Sequence, residues 1–138
     1  MMSRPVSRLG VAIVFVVFQA TTVFADASES TQAPSISPAE LHAQRESGVA
    51  PVVIDVRTPE EYATGHIPDA VNIPFDQVAK RIDELDTPHG VALYCMVGPR
   101  ARKGEAALLA VGYEKTFHIE GGLAAWQKAG LPVAGKQE

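Results

Sequence analysis

The sequence predicts an α/β domain with a central, mostly parallel sheet and helices on both faces. Three observations lead there. Short apolar runs rich in β-branched residues match strands buried on both sides, capping signals open the intervening segments as helices, and the two kinds of segment alternate along the chain.

Taken in order, Ser37-Pro38-Ala39-Glu40 has the form of a capping box, with Ser37 as N-cap, Pro38 at the first helical position and Glu40 reaching back from the third. Gly48 stands where that helix stops, so a first helix is expected over residues 38–47. Val52-Val53-Ile54-Asp55-Val56 reads as a buried strand, and Thr58-Pro59-Glu60-Glu61 repeats the capping box ahead of a short helix closed by Gly65. Residues 70–73 read as a further strand, 75–85 as an amphipathic helix and 91–94 as a buried strand. After a six-residue loop comes a helical pattern over 99–111, with Pro99 in its first turn and Ala101, Ala106, Ala107, Leu108, Leu109 and Ala110 among charged residues. Residues 116–119 form the last strand, and Gly121-Gly122 precedes a helix whose Trp126 is expected to pack it on the sheet. The acidic group Asp83, Glu84 and Asp86 reads as a solvated helix end.

In open sheets of this kind ligands sit beyond the C-terminal strand ends. Cys95, the single cysteine, stands at such an end, in the loop Cys95-Met96-Val97-Gly98-Pro99-Arg100. Unpaired backbone N–H groups and the positive end of the helix dipole favour thiolate over thiol there. Gly98 lets the backbone curl tightly and Arg100 returns a fixed positive charge to the cup, which separates this cysteine from a small apolar residue ending a core strand.

The ends of the chain bound its organisation. Arg4 and Arg8 precede an apolar run from Leu9 to Phe18 that is about half the roughly 20 residues of a membrane-spanning helix. Val23-Phe24-Ala25 fits the small-residue rule before a cleavage site. Residues 1–25 are therefore expected to be a signal peptide, 26–35 a flexible polar lead-in, 36–134 one domain and 135–138 a short tail. Cleavage removes two of the 12 basic residues and none of the 16 acidic ones, for a mature net charge of about −6. That balance argues against nucleic acid, and against a membrane once the leader is gone, as partners. An unpaired thiol in an oxidising, periplasmic compartment points to chemistry rather than to a disulfide.

Four separated motifs resemble the rhodanese, or thiosulfate sulfurtransferase, domain family. They are Asp55-Val56-Arg57-Thr58-Pro59-Glu60-Glu61-Tyr62, then Gly65-His66-Ile67-Pro68-Asp69-Ala70-Val71-Asn72-Ile73-Pro74, the Cys95 loop, and Gly121-Gly122-Leu123-Ala124-Ala125-Trp126. The resemblance covers nearly the whole of the expected mature chain and is to the single-domain periplasmic type. It implies a rhodanese-like fold and a two-step sulfur relay: the cysteine takes the outer sulfur of a donor such as thiosulfate, releasing sulfite, and the persulfide passes it to cyanide or a thiol. It further implies Cys95 as nucleophile, a substrate cup from the amides of Met96, Val97, Gly98 and Arg100 with the Arg100 guanidinium holding it, and neither a metal nor an organic cofactor. A periplasmic protein as sulfur acceptor is also compatible with it.

Departures from the family pattern matter. Met96 stands where many such loops place a basic or polar residue, which weakens attraction for a dianion and makes an apolar or polysulfide-like donor worth testing. Pro99 removes one backbone donor. Asp69 replaces a usual glycine as a turn variant. Asp55 and Arg57 read as a supporting strand-end pair, Glu61 as a helix cap, and His66 as a hydrogen-bonded structural residue, while the scattered histidines lack metal-ligand spacing. A cysteine phosphatase would share the helix start and trailing arginine, yet its loop needs five residues where four separate Cys95 from Arg100. An enzyme acting on small thiols and a stoichiometric sulfur carrier for a partner share all these residues.

Overall fold

A computed structural model describes residues 32–135; the expected leader and the tail residues 136–138 lie outside the described residues. Five strands, β1 (Ser35–Ile36), β2 (Val52–Asp55), β3 (Val71–Asn72), β4 (Val91–Tyr94) and β5 (Thr116–Ile119), form one sheet in the order β1-β5-β4-β2-β3. Every neighbouring pair is parallel. Among the described residues, α1 (Pro38–Glu46), α2 (Pro59–Thr64), α3 (Val78–Arg81) and α4 (Pro99–Ala110) fill the four connections, and α5 (Gly122–Lys128) follows β5.

Side-chain alternation along the strands splits the core in two. On one face Val53, Ala92, Tyr94 and Ile119 meet Leu41 of α1 and Leu123 and Trp126 of α5. On the other Ile54, Val91, Leu93 and Cys95 meet Val78 of α3 and Ala101 and Leu108 of α4. Helices thus cover both faces, and the apolar β-branched runs are buried because neither face meets water. Trp126 is fully buried, its Nε1–H donating to the Pro132 carbonyl at 2.7 Å.

Two expectations need correction. The boundary placed between 35 and 36 falls inside β1: Ser35 pairs with His118, and Ala33 is already buried, so residues 33–35 belong to the sheet edge rather than to a flexible lead-in. Two-residue strands carry almost no periodicity, which is why β1 was not legible. The helix expected over 75–85 is only α3 followed by a 3-10 turn, Ile82–Glu84. Pro74 lies just upstream, and Gln77 at the N-cap supplies no side-chain hydrogen bond to start a longer helix. Both capping signals do start helices: Ser37 Oγ accepts from the Glu40 N–H, while the box at Thr58 closes reciprocally with Glu61.

Candidate active site

β4 lies between β5 and β2, and its C-terminal end delivers Cys95 to the base of the loop, 2% exposed. The backbone then turns at Gly98, whose φ of +145° is open to glycine and strained for other residues, and enters α4. That turn brings the Gly98 N–H to 3.1 Å from Sγ of Cys95. Such a bond strengthens when the sulfur carries charge. The amides of Met96, Val97 and Arg100 make no hydrogen bond to another backbone group among the described residues. These are the unpaired donors expected ahead of and at a helix start.

The loop carbonyls are drawn off in the other direction. Leu123 N–H donates to the Cys95 carbonyl at 2.9 Å and Ala124 N–H to the Met96 carbonyl at 3.0 Å. Those donors are orphan first-turn N–H groups of α5, so one helix start satisfies the carbonyl acceptors at the beginning of the loop. The contact requires glycine: a Cβ on Gly122, at φ +60°, would lie 2.5 Å from the Cys95 carbonyl oxygen and 2.7 Å from that of Met96. Sequence reasoning used the Gly-Gly pair as the lead-in to the Trp126 helix and as part of a family motif, although the dipeptide was also the available signal for a close backbone approach.

Met96 and Val97, 39% and 61% exposed, form an apolar rim. Arg100 is not a free cation. Its Nη1 and Nη2 donate to Oε2 and Oε1 of Glu61 at 2.7 and 2.9 Å, a bidentate pair across 39 residues of sequence. The Arg100 guanidinium, together with the Thr58 backbone N–H, lowers the Glu61 carboxyl to about 2. The same pairing raises the Arg100 pKa against the opposing effect of burial, and nearby Cys95 adds to the rise. Glu61 was legible as a cap and not as the partner of the loop arginine, because nothing local brings α2 to α4.

Asp55 and Arg57 lie beside the site, since Asp55 is the parallel partner of Tyr94. Both are buried and form a pair at 2.6 Å between Arg57 Nη2 and Asp55 Oδ2. Arg57 Nη2 also donates to the Gly65 carbonyl at 2.7 Å, and Asn72 Nδ2 donates to the carbonyls of Asp55 and Arg57 at 3.1 and 3.0 Å. Burial opposes the Arg57 charge, but the Asp55 carboxylate outweighs it and the pKa is raised. For Tyr94, by contrast, burial raises the pKa, and its hydroxyl accepts from the Ile67 N–H at 3.0 Å. His66 Nδ1 lies 2.8 Å from the Tyr62 carbonyl, and its ring stacks on Tyr62 with centroids 3.7 Å apart. Asp69 has φ +65° and pairs with Arg45 at 3.2 Å, a turn that the short polar side chain tolerates.

A parallel α/β domain whose central strand ends in a buried cysteine beneath a helix start defines a class of thiol-centred site. The chain belongs to the rhodanese-like domain family, whose model matches residues 37–129. It is similar to a sulfurtransferase of Allochromatium vinosum, 37% identical over 82 residues, covering 59% of this chain and 77% of that protein. It is 30% identical over 97 residues to the thiosulfate sulfurtransferase GlpE of Pseudomonas syringae pv. syringae, covering 70% of this chain and 90% of that one. Among solved structures it resembles a rhodanese-related protein of Thermoplasma volcanium, with TM-score 0.65, 29% identity and coverage of 75% and 99% of the two chains. In several other relatives the match takes up less than half of the protein's length. Family and sulfurtransferase relatives together support transfer of sulfur as the general activity.

Proposed function

We propose that the protein moves a sulfane sulfur from thiosulfate or a related donor to a thiophilic acceptor through a persulfide on Cys95, as an exported, periplasmic sulfurtransferase. The Cys95 thiolate attacks the outer sulfur of thiosulfate, the S–S bond breaks, and sulfite leaves with its electron pair. The persulfide then gives that sulfur to cyanide, forming thiocyanate, or to a thiol, and the thiolate returns. The reading rests on one observation above the others: the Gly98 N–H at 3.1 Å from Sγ, in a loop whose carbonyls are turned onto α5. Donors without competing acceptors favour a sulfur anion both before and after it takes a second sulfur.

The rim bears on the choice of donor. With Arg100 occupied by Glu61 and Met96 and Val97 at the mouth, thiosulfate meets little unpaired positive charge, so an apolar or polysulfide-like donor is the second candidate. Delivery to a periplasmic protein partner keeps the same residues and differs in that discharge needs the partner. Intact-mass measurement tests the proposal: thiosulfate should add one sulfur atom to the mature wild-type protein, cyanide should remove it as thiocyanate, and Cys95→Ser should show neither while melting normally. Equal sulfur transfer by the serine variant would overturn the mechanism, and discharge that occurs only to a protein fraction would favour the carrier.

A further inference from the structure

Both guanidinium groups beside the site are held by carboxylates. Arg57 is closed on Asp55 in the buried pair. Arg100 is the one charged side chain of the loop, since Met96, Val97, Gly98 and Pro99 carry none. It belongs to the turn that meets the sulfur: the Arg102 N–H donates to the Gly98 carbonyl at 3.0 Å, closing the first turn of α4 around Arg100, and the Gly98 N–H reaches Sγ of Cys95 at 3.1 Å. The Arg100 pKa is raised first by Glu61 and also by Cys95, so guanidinium and sulfur lie within each other's field.

Glu61 meets that guanidinium with both oxygens, at 2.7 and 2.9 Å. Its place does not depend on Arg100, because Oε2 also accepts from the Thr58 N–H at 3.0 Å and the Glu61 N–H donates to Thr58 Oγ1 at 3.2 Å. About a third of each partner is exposed, and an ion pair so exposed adds little stability. Its larger effect is on the charge that the mouth presents. Arg100 holds the Glu61 carboxyl at about 2, so the loop arginine stays neutralised at every working pH. What remains at the rim is the apolar surface of Met96 and Val97. In a chain of net charge −4, a dianion approaching that mouth is repelled about twice as strongly as a monoanion, because Coulomb energy scales with the charge of the ligand. A donor with one charge and an apolar group recovers free energy by covering Met96 and Val97.

We propose that Glu61, by closing on the Arg100 guanidinium, sets the donor class of the site: it turns the cup away from dianionic thiosulfate and toward monoanionic sulfane-sulfur donors that carry an apolar group, such as organic thiosulfonates. The bond changes are the same for both donors. The Cys95 thiolate attacks the outer sulfur, the S–S bond breaks, and the electron pair leaves with sulfinate from a thiosulfonate as it does with sulfite from thiosulfate. The proposal rests on the reading of Cys95 as the sulfur-accepting nucleophile.

Its test is kcat/KM for thiosulfate and for benzenethiosulfonate, with cyanide as acceptor, at about 0.01 and about 0.15 M salt, between which the screening length falls from about 30 to about 8 Å. Glu61→Gln keeps the oxygen shared by Thr58 and Arg100 and removes the charge. It should raise kcat/KM for thiosulfate about 10-fold at the lower salt, the effect of one freed charge about 6 Å from a dianion in water, and for benzenethiosulfonate about 3-fold, the square root that half the ligand charge dictates. Both gains should shrink at the higher salt. The double variant Glu61→Gln with Arg100→Gln removes the pair together and should return the ratio of the two donors to the wild-type value. A loss of rate in Glu61→Gln that is equal for both donors and indifferent to salt would make Glu61 a structural brace and overturn the proposal, as would a donor ratio that the double variant leaves shifted. Should neither variant fold, the wild-type salt series decides: the thiosulfate rate should hold or rise as salt is added, and a fall would reveal an unpaired cation at the mouth and overturn the proposal equally. Wild-type protein that takes up no sulfur from either donor would instead overturn the sulfur-transfer reading, whereas uptake from both with an unaltered ratio in Glu61→Gln overturns only the role of Glu61.

Discussion

Glu61 links two jobs that lie far apart in sequence. Its carboxylate closes the capping box at Thr58 and holds both terminal nitrogens of Arg100. With its pKa brought from 4.5 to about 2, Glu61 binds its proton more weakly in the folded than in the unfolded chain. Its contribution to stability is therefore present above pH 4.5 and is lost as pH falls through about 2. Roughly a third of both side chains is exposed, so solvent screens much of the interaction and the stability effect is small. A carbon-detected NMR titration of Glu61 should find its midpoint near 2, and Glu61→Gln should flatten the acid limb of the stability curve between 4.5 and 2. A midpoint at the ordinary glutamate value would mean that Arg100 is free to meet an anion directly.

At the scale of elements, the cysteine loop is shaped by two helix starts. α4 contributes its unpaired donors, and α5 receives the loop carbonyls through backbone that only glycine lets come so close. Gly122→Ala places a methyl group against two carbonyl oxygens at a positive φ, so the α5 start and the loop must separate. We expect a loss of about 1–3 kcal/mol in a denaturant melt, together with slower alkylation of Cys95 in the protein that remains folded. Unchanged reactivity at full stability would show that α5 does not hold the loop. The short α3 belongs to this scale too: the apolar spacing of residues 75–85 suits a helix, but only Val78–Arg81 is α-helical, with a 3-10 turn completing the segment.

Across the whole molecule, the Asp55–Arg57 pair joins β2 to the turn at Gly65 and, through Asn72, to β3. A buried guanidinium is tolerable only while its carboxylate is present. Asp55→Ala should therefore cost about 3–5 kcal/mol of unfolding free energy, well above the effect of changing an exposed pair such as Arg81–Glu84. A loss below about 1 kcal/mol would show that water reaches Arg57 and that the network is not closed.

Much of this molecule was legible in one dimension. The alternation of β-branched runs with capped helices dictated a parallel sheet covered on both faces, because such runs are stable only where neither side meets water. A cysteine between a strand and a helix start, followed by glycine and arginine, marked the site for the same local reason: unpaired donors and a tight turn arise from neighbours in sequence. What depends on segments meeting across the sheet was not legible. The β1 edge strand, the claim of Glu61 on Arg100 and the approach of Gly122 to the Cys95 carbonyl each join residues more than 15 positions apart. Local propensity has no term for such encounters, so the tertiary structure alone decided which charges around the thiol are free and which backbone groups face it.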